Sequence, residues 1–166
     1  MSQIEVRAVR SDEPPARELV AAMVAEIVGF YGPLESRNAP SATPEELWAP
    51  HGSYLVLLDG GRAVAGGGLK RLEDGVAEIK RMYVVPDARG RGLARRLLGA
   101  LEDAARELGY ARVRLDTGPQ QPHARSLYLS AGYTPVPNYN GNDVATFWGE
   151  KALAPSPPPL PDRAAR

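Results

Sequence analysis

Alternating hydrophobic and polar positions predict most of the strands in this chain. The segment IEVRAVR at 4–10 has the period of two that is typical of a half-buried strand. Gly60-Gly61 indicates a two-residue hairpin turn between two further strands. In chain order, these and the remaining strands are predicted at 53–59, 62–72, 76–85, 111–117, 134–139 and 143–153.

Hydrophobic residues spaced three and four apart predict the helices. The first follows Ser11 and Asp12, which we expect to cap it, and ends at about Val28. Gly109 and Gly132 are the expected stops of two later helices. These helices are predicted at 93–108 and 122–131, with a short one at 43–48. Consecutive hairpins that feed a βαβα segment indicate one mixed α/β domain with helices on the faces of its sheet.

Composition narrows the chemistry that is open to this domain. The chain has 166 residues, which fits one domain, and its 20 basic and 20 acidic residues give no net charge. Neutrality argues against a general nucleic-acid or membrane-surface partner. The absence of cysteine excludes disulfides, thiol nucleophiles and thiolate metal sites. The two histidines, His51 and His123, are far apart in sequence and both are expected to be exposed, so no metal cofactor is expected.

The N-terminal segment MSQIEVRAVRSDEPP lacks a basic region followed by an apolar stretch, so no signal peptide is expected. The most apolar segment, LVAAMVAEIVGF, contains Glu26 and is too short to span a bilayer. A cytoplasmic protein is therefore expected, and the arginine-, alanine- and proline-rich composition is typical of GC-rich bacterial genomes. Residues 154–166 are proline-rich and are predicted to form a disordered or polyproline tail after a domain over 3–153.

The segment MYVVPDARGRGLARRLL contains the clearest candidate binding site. A strand ends near Pro86, a loop carries Gly90 and Gly92, and a helix begins at once. Unpaired N–H groups at a helix start, with glycines that let a ligand approach the backbone, suit a phosphate. Residues 78–114 hold nine basic and five acidic side chains. No P-loop is present, and Arg95 stands where a dinucleotide fingerprint needs a small residue. The alternative is a glycine turn with solvated arginines.

Two motifs in this half of the chain resemble those of the GNAT N-acetyltransferases. Arg89-x-x-Gly92-x-Ala94 resembles the family's acetyl-CoA signature, [Q/R]-x-x-G-x-[G/A]. QPHARSLYLSAGY at 121–133 is similar to the helix that follows it in the family. One helix and one strand separate the two motifs, as in the family, and the resemblance extends over roughly 3–153. It implies an acetyl-CoA-dependent acyltransferase with a mostly antiparallel sheet of about seven strands flanked by about four helices.

The resemblance also implies where acetyl-CoA binds. Its pyrophosphate would lie on the loop and helix start, at Arg89, Gly90, Arg91, Gly92, Leu93, Ala94 and Arg95. Its pantetheine arm would pair with the exposed main chain of the preceding strand at Met82, Tyr83 and Val84. Gln121 stands where the family commonly has a cofactor-contacting asparagine, and it offers the same amide on a longer arm.

Three residues are catalytic candidates under the same resemblance. Tyr128 matches the family's general acid, although an aromatic on an apolar helix face is its structural alternative. Glu78 is our first candidate for the base and Asp116 the second, because each matches a carboxylate used in one branch of the family. Glu78 has the alternative of pairing with Lys80 or Arg81. Asp116 has the alternative of capping the turn at Thr117-Gly118.

The implied reaction is direct acetyl transfer to a primary amine in a ternary complex, because no cysteine can form an acetyl-enzyme. Acidic and aromatic residues in two segments suit a small cationic amine, although a peptide or protein lysine is equally permitted. The first segment is 29–50, with Tyr31, Glu35 and Trp48, and His51 directly follows it. The second is 134–148, with Tyr139, Asn140, Asp143 and Trp148. A non-catalytic acyl-CoA sensor and a basic-patch interaction module are the alternatives. The sequence leaves the oligomeric state open, a homodimer included.

Overall fold

The secondary structure follows the predicted order closely. The computed structural model describes residues 3–33 and 41–155. Its strands are β1 (Ile4–Ala8), β2 (Ser53–Asp59), β3 (Arg62–Glu73), β4 (Val76–Val84), β5 (Arg112–Thr117), β6 (Thr134–Pro135) and β7 (Phe147–Ala152). Its helices are α1 (Ala16–Tyr31), α2 (Leu93–Glu107) and α3 (Pro122–Ser130), with a 3-10 turn at Pro86–Ala88. The predicted tail lies mostly outside the described residues.

All seven strands form one sheet in the order β1-β2-β3-β4-β5-β7-β6. Neighbouring strands are antiparallel except β4 and β5, which run parallel. The expected mixed, mostly antiparallel sheet is therefore confirmed. Parallel pairing joins only Val76, Ala77 and Glu78 to β5, and beyond Glu78 the two strands separate. Neither α1, α2 nor α3 has the length and apolarity that a bilayer crossing requires.

Hydrophobic cores cover both faces of the sheet. The apolar side of α2, together with α3, packs on one face of the sheet, against strands that include β5 and β7. This core includes Leu97, Leu98, Leu101, Val113, Leu115, Tyr128 and Phe147. Helix α1 packs on the other face through Leu19 and Met23, in a second core that also includes Leu47 and, from β2, Tyr54 and Val56. This helical packing holds the separated ends of β4 and β5 between two layers.

Three successive glycines in β3 allow these layers to approach unusually closely. A Cβ atom on Gly66 would lie 2.6 Å from the Tyr54 hydroxyl, and one on Gly68 would lie 2.7 Å from Leu47. A Cβ atom on Gly67 would lie 3.1 Å from Leu101 and from Met82. Glycine inside a strand often marks such close approach. Here it brings the sheet against both helical layers beside the separated strands.

Glycines stop α2 and α3 as the sequence predicts. Gly109 has φ +91° and follows α2, while Gly132 has φ +97° and follows α3. After α3, the Gly132 N–H bonds the Leu129 carbonyl at 3.2 Å and the Tyr133 N–H bonds the Tyr128 carbonyl at 3.0 Å. These two bonds form a Schellman motif, which fixes the chain as it leaves the helix that carries Tyr128.

The predicted capping of α1 by Ser11 or Asp12 is wrong. The helix begins at Ala16, its N-cap is Pro15, and no side chain caps it. Asp12 instead accepts a hydrogen bond from Arg10 at 2.9 Å. A residue that precedes proline disfavours helical geometry, so Pro14-Pro15 delays the helix beyond the predicted caps.

The short helix predicted at 43–48 is also wrong, which leaves three α-helices among the described residues instead of about four. The capping box itself forms: Thr43 N–H donates to the Glu46 carboxylate at 2.9 Å, and Glu46 N–H donates to the Thr43 hydroxyl at 3.2 Å. The segment makes a single turn and stops, because Pro50 lacks an N–H and restricts Ala49 before it.

The last two strands are shorter than the predicted 134–139 and 143–153. Residues 136–146 form a loop between β6 and β7. The Asn138 side-chain oxygen accepts hydrogen bonds from the N–H groups of Asn140, at 3.2 Å, and Gly141, at 2.7 Å. This side-chain capture of backbone donors competes with a ladder and holds the chain in turns.

Candidate active site

A cavity of about 410 Å³ opens where β4 and β5 separate. Strand β4, the end of β5, the start of α3, helix α1 and the loop before β7 all contribute to its wall. The lining residues are Met23, Val24, Ile27, Tyr31, Ser41, Ala42, Ile79, Lys80, Arg81, Met82, Asp116, Thr117, Gly118, Gln121, Tyr128, Asn142 and Val144. A mostly apolar pocket with a few converging polar groups is typical of a small-molecule site.

A β-bulge shapes the β4 side of this cavity. Lys80 is opposite Gly68 and Tyr83 is opposite Gly66, so β4 holds one extra residue against β3. Arg81 lies in this bulge with φ +59°, in the left-handed region that a non-glycine residue rarely adopts. A bulge interrupts the ladder locally and leaves backbone groups unpaired. It therefore suits the expected pairing of β4 main chain at Met82, Tyr83 and Val84 with a pantetheine arm.

The glycine loop has the backbone expected of an anion cradle. Gly90 and Gly92 have φ values of +80° and +76°. Helical hydrogen bonding in α2 begins with the Arg96 N–H, which donates to the Gly92 carbonyl at 3.2 Å. The N–H groups of the first turn before Arg96, including those of Leu93, Ala94 and Arg95, are the ones that a helix leaves without intrahelical partners. These groups and the open backbone fit a pyrophosphate.

The arginines around the loop are attached to the rest of the fold. Arg89 donates to the Val84 carbonyl at 2.9 Å and to the Glu26 carboxylate at 2.7 Å. Arg91 pairs with Asp59 at 3.0 Å, while Arg95 donates to the Ser130 hydroxyl at 2.5 Å. The first two cations are thus offset by carboxylates, whereas Arg95 has a neutral partner. The cradle therefore relies on main-chain N–H groups more than on free guanidinium groups.

Tyr128 lies buried on α3 at the wall of the cavity. Its hydroxyl donates to the Met82 sulfur at 3.8 Å, and its ring packs 5.9 Å from that of Tyr133. Burial first, and the charge of Asp116 second, raise the pKa of Tyr128 above its ordinary value. The phenol therefore keeps its proton at neutral pH and is able to donate it.

The two candidate bases occupy neighbouring strands. The buried Glu78, only 3% exposed, pairs with Lys80 at 3.3 Å, the structural alternative considered for it. Asp116 lies on β5 at the cavity wall. It accepts hydrogen bonds from side-chain amides and not from the Thr117-Gly118 turn: Asn140 Nδ2 lies 2.5 Å and Asn142 Nδ2 3.2 Å from its Oδ2.

Asn140 joins the two carboxylates, which the sequence did not predict. Its Nδ2 also donates to Glu78 at 3.2 Å, and its Oδ1 accepts from Trp148 Nε1 at 3.1 Å. The sequence predicts Asn140 and Trp148 only as residues near the acceptor. The asparagine-rich run PNYNGND was the available signal, because asparagine favours turns in which its side chain makes hydrogen bonds.

The other predicted site residues divide into two groups. Gln121 lines the cavity, and its Oε1 accepts from the Thr117 hydroxyl at 3.3 Å. Trp48 and His51 instead border a separate surface depression with Arg71. His51 and His123 are exposed, as predicted, and Glu35 lies outside the described residues. Among residues 3–33 and 41–155, no cluster of three acidic or histidine side chains is placed to hold a metal ion.

Comparison with known proteins agrees with this geometry. Residues 12–133 match the Acetyltransferase (GNAT) family. The chain is 33% identical over 148 residues to an IAA acetyltransferase of Azospirillum brasilense, covering 85% of this chain and 95% of the relative. A Klebsiella pneumoniae structure described as an acyl-CoA N-acyltransferase superposes with a TM-score of 0.72 at 26% identity, covering 92% and 99% of the two chains.

A third comparison supports the fold. The PaiA N-acetyltransferase of Thermoplasma acidophilum, solved in complex with coenzyme A, has the same fold, with a TM-score of 0.68, 17% identity and coverage of 90% and 99%. The chain belongs to the GNAT acetyltransferase family. It is therefore an acyl-CoA-dependent acetyltransferase, as its two motifs predicted.

Proposed function

We propose that the enzyme transfers the acetyl group of acetyl-CoA directly to a primary amine bound in the same ternary complex. The observation that carries the proposal is the pair of groups at one cavity wall, the carboxylate of Asp116 and the buried phenol of Tyr128. One can accept a proton from an amine and the other can donate one to a leaving group. The amine belongs to a small molecule or to an exposed position of a peptide or protein.

The cofactor would be held mainly by main-chain groups. The N–H groups from Gly90 to Arg95 would bind the pyrophosphate, at the positively polarised start of α2. The main chain at Met82, Tyr83 and Val84 would pair with the pantetheine amides, and the Gln121 side chain offers a further amide at the cavity. A backbone N–H beside the β4 bulge would polarise the thioester carbonyl.

The chemistry balances with the residues present. Bound acetyl-CoA supplies a thioester: the amine nitrogen bonds to its carbonyl carbon, the carbon–sulfur bond breaks, and the sulfur leaves with the electron pair. Tyr128 donates its hydroxyl proton to that sulfur. The ammonium form of the acceptor loses two protons, one to Asp116 before attack and one as the amide forms. The second restores the Tyr128 hydroxyl through solvent, and Asp116 returns the first to water.

Asp116 is the proposed base, and Glu78 has the supporting position. Asp116 is one of the residues that line the cavity, whereas Glu78 is not among them; it is buried, bonded to Asn140 and paired with Lys80. An amine in the cavity would therefore meet the carboxylate of Asp116 and not that of Glu78. This reverses the order in which the sequence ranked the two carboxylates.

The test begins with the cofactor. Acetyl-CoA should raise the melting temperature, since a ligand that binds only the folded state stabilises it by mass action. Pantetheine, which lacks the pyrophosphate half, should do so much less. An amine panel with release of free CoA thiol as readout then tests transfer. No thermal shift at millimolar acetyl-CoA, or binding with no transfer to any amine, would refute the proposal.

A further inference from the structure

The charges that line the cavity do not suit a purely cationic acceptor. Among the described residues, three side chains that line the cavity are charged: Lys80, Arg81 and Asp116. Lys80 has a carboxylate partner in Glu78, at 3.3 Å. The remaining two are opposite in sign, and they lie on the two separated strands, Arg81 on β4 and Asp116 on β5.

Arg81 is a half-buried cation that has no carboxylate partner among residues 3–33 and 41–155. Its Nη2 donates to the Ala42 carbonyl at 2.6 Å, a neutral acceptor that also lines the cavity. A guanidinium has five N–H donors in a fork that matches a carboxylate. Placing such a charge away from water without an anion is costly, so a ligand anion would satisfy it.

Asp116 has the complementary arrangement. Its hydrogen-bond partners are the neutral amides of Asn140 and Asn142, and both contacts fall on Oδ2. The described residues place no cation against it. An ammonium group from a ligand would therefore be its counter-charge as well as the group that it deprotonates.

We infer that the acceptor is a small aminocarboxylate, such as a free amino acid, whose amine faces Asp116 and whose carboxylate binds Arg81. The inference rests on the proposed function and gives its substrate class. The cavity is also bordered by Met23, Val24 and Ile27 of α1, which suit an apolar side chain. A polycation would bring its extra charge against Arg81 and Lys80, and a peptide N-terminus or lysine side chain brings no carboxylate next to its amine.

The test compares acceptors that differ only in the carboxylate. Leucine, leucinamide and isoamylamine form one set, and phenylalanine, phenylalaninamide and phenethylamine another, with spermidine and a lysine peptide added. The best amino acid should exceed its amide in kcat/KM by about 10- to 100-fold, the range for a charge-assisted hydrogen bond. Amides or simple amines that are used equally well or better would overturn the inference and leave the proposed function intact.

Substitution of Arg81 assigns the preference to that side chain. Arg81→Gly removes the charge at a position whose φ of +59° suits glycine, and Arg81→Met keeps most of the volume. Both should bring the acid-to-amide ratio in kcat/KM close to one, whatever their effect on the absolute rates. The exposed Arg71→Met is the control and should keep the parent ratio. An unchanged ratio in both Arg81 variants would overturn the inference.

Failure of the inference differs from failure of the proposed function. If acetyl-CoA binds but no amine of the whole panel, including spermidine and the lysine peptide, accepts an acetyl group, the proposed function itself fails. If transfer occurs but follows the amine without regard to the carboxylate, only the substrate class is wrong. Thermal stability of each variant, measured with and without acetyl-CoA, establishes that a changed ratio comes from a folded enzyme that binds its cofactor.

Discussion

The cofactor loop, residues 89–95, and the asparagine loop, residues 138–144, use opposite parts of the chain for binding. In the cofactor loop, glycines expose main-chain N–H groups while the side chains of Arg89 and Arg91 turn back to Glu26 and Asp59. In the asparagine loop, the backbone is occupied by its own turns and the side-chain amides reach the carboxylates. The first should therefore be sensitive to backbone conformation and the second to the identity of single side-chain atoms.

The largest effect is expected at Tyr128, which belongs to neither loop. Tyr128→Phe removes a hydroxyl whose contact is a weak bond to the Met82 sulfur, so folding and acetyl-CoA affinity should barely change. The single-turnover rate should fall by roughly 10²-fold or more, because a positioned acid is lost. Tyr133→Phe is the matched control: it loses a 3.1 Å bond to buried Glu102 and should cost stability but not rate. Full rate in the Tyr128 variant would exclude its role as the acid.

The next largest effect is expected at Asp116, one of the two carboxylates that accept hydrogen bonds from the asparagine loop. Asp116→Asn should lower kcat about 10- to 100-fold near neutral pH and recover as pH approaches the pKa of the free amine, because solvent then deprotonates the acceptor. Glu78→Gln keeps the shape of a residue outside the cavity wall and should keep the parent pH profile. Measuring the rate as a function of pH for both variants identifies which carboxylate is the base. The opposite result would make Glu78 the base, and two unchanged profiles would remove both residues from that role.

A smaller effect tests the cofactor loop by conformation alone. Gly92→Val should weaken acetyl-CoA binding about tenfold, since a side chain is strained at φ +76° and would crowd the bound anion. Gly75→Val is the matched control: it has the same φ of +76° and the same open surroundings, in the β3–β4 turn. Calorimetric titration should show affinity lost in the first variant only. Equal affinity in both would show that the pyrophosphate binds elsewhere.

The smallest effect is expected from substitution of Glu150 on β7. Arg114 stacks 5.4 Å from the Tyr139 ring and donates a hydrogen bond to Glu150 at 2.7 Å. This hydrogen bond is the main cause that lowers the pKa of Glu150 below its ordinary value of 4.5, and the hydrogen bond from Arg112 adds to it. A lowered carboxyl pKa stabilises the fold above that ordinary value, and the contribution disappears as pH falls through the folded-state value. Glu150→Gln should cost about 1 kcal/mol at neutral pH.

Denaturant titration across pH checks this prediction. The difference between the parent and Glu150→Gln should be constant from neutral pH down toward the ordinary carboxyl pKa of 4.5 and should vanish as pH falls through the lowered folded-state pKa. The rate of acetyl transfer should change little at any of these pH values. A difference that persists in acid would mean that the side chain stabilises by packing and not by charge.

The same two loops explain what could be predicted from the sequence. The strand end, the Gly90 and Gly92 loop, and α2 with its Gly109 stop are encoded within one continuous stretch, so local spacing was sufficient. Asn140 reaches Asp116 across 24 positions and Glu78 across 62. Such contacts depend on the path of the loop at 136–146, most of which the alternation of hydrophobic and polar residues predicts as strand. The Arg81 bulge was missed for a similar reason: it is a property of how β4 pairs with β3, which alternation alone does not show.

The three glycines of β3 have a consequence for anyone who engineers this enzyme. Strand preference recommends valine or isoleucine at Gly66, Gly67 and Gly68, yet an added methyl group would meet the Tyr54 hydroxyl, Leu101, Met82 or Leu47. Sequence optimisation guided by β-propensity would therefore introduce its worst errors here, in the strand that pairs with the bulged part of β4. Variant libraries intended to change the acceptor should leave this strand untouched and diversify the α1 wall of the cavity, where the chain has room to vary.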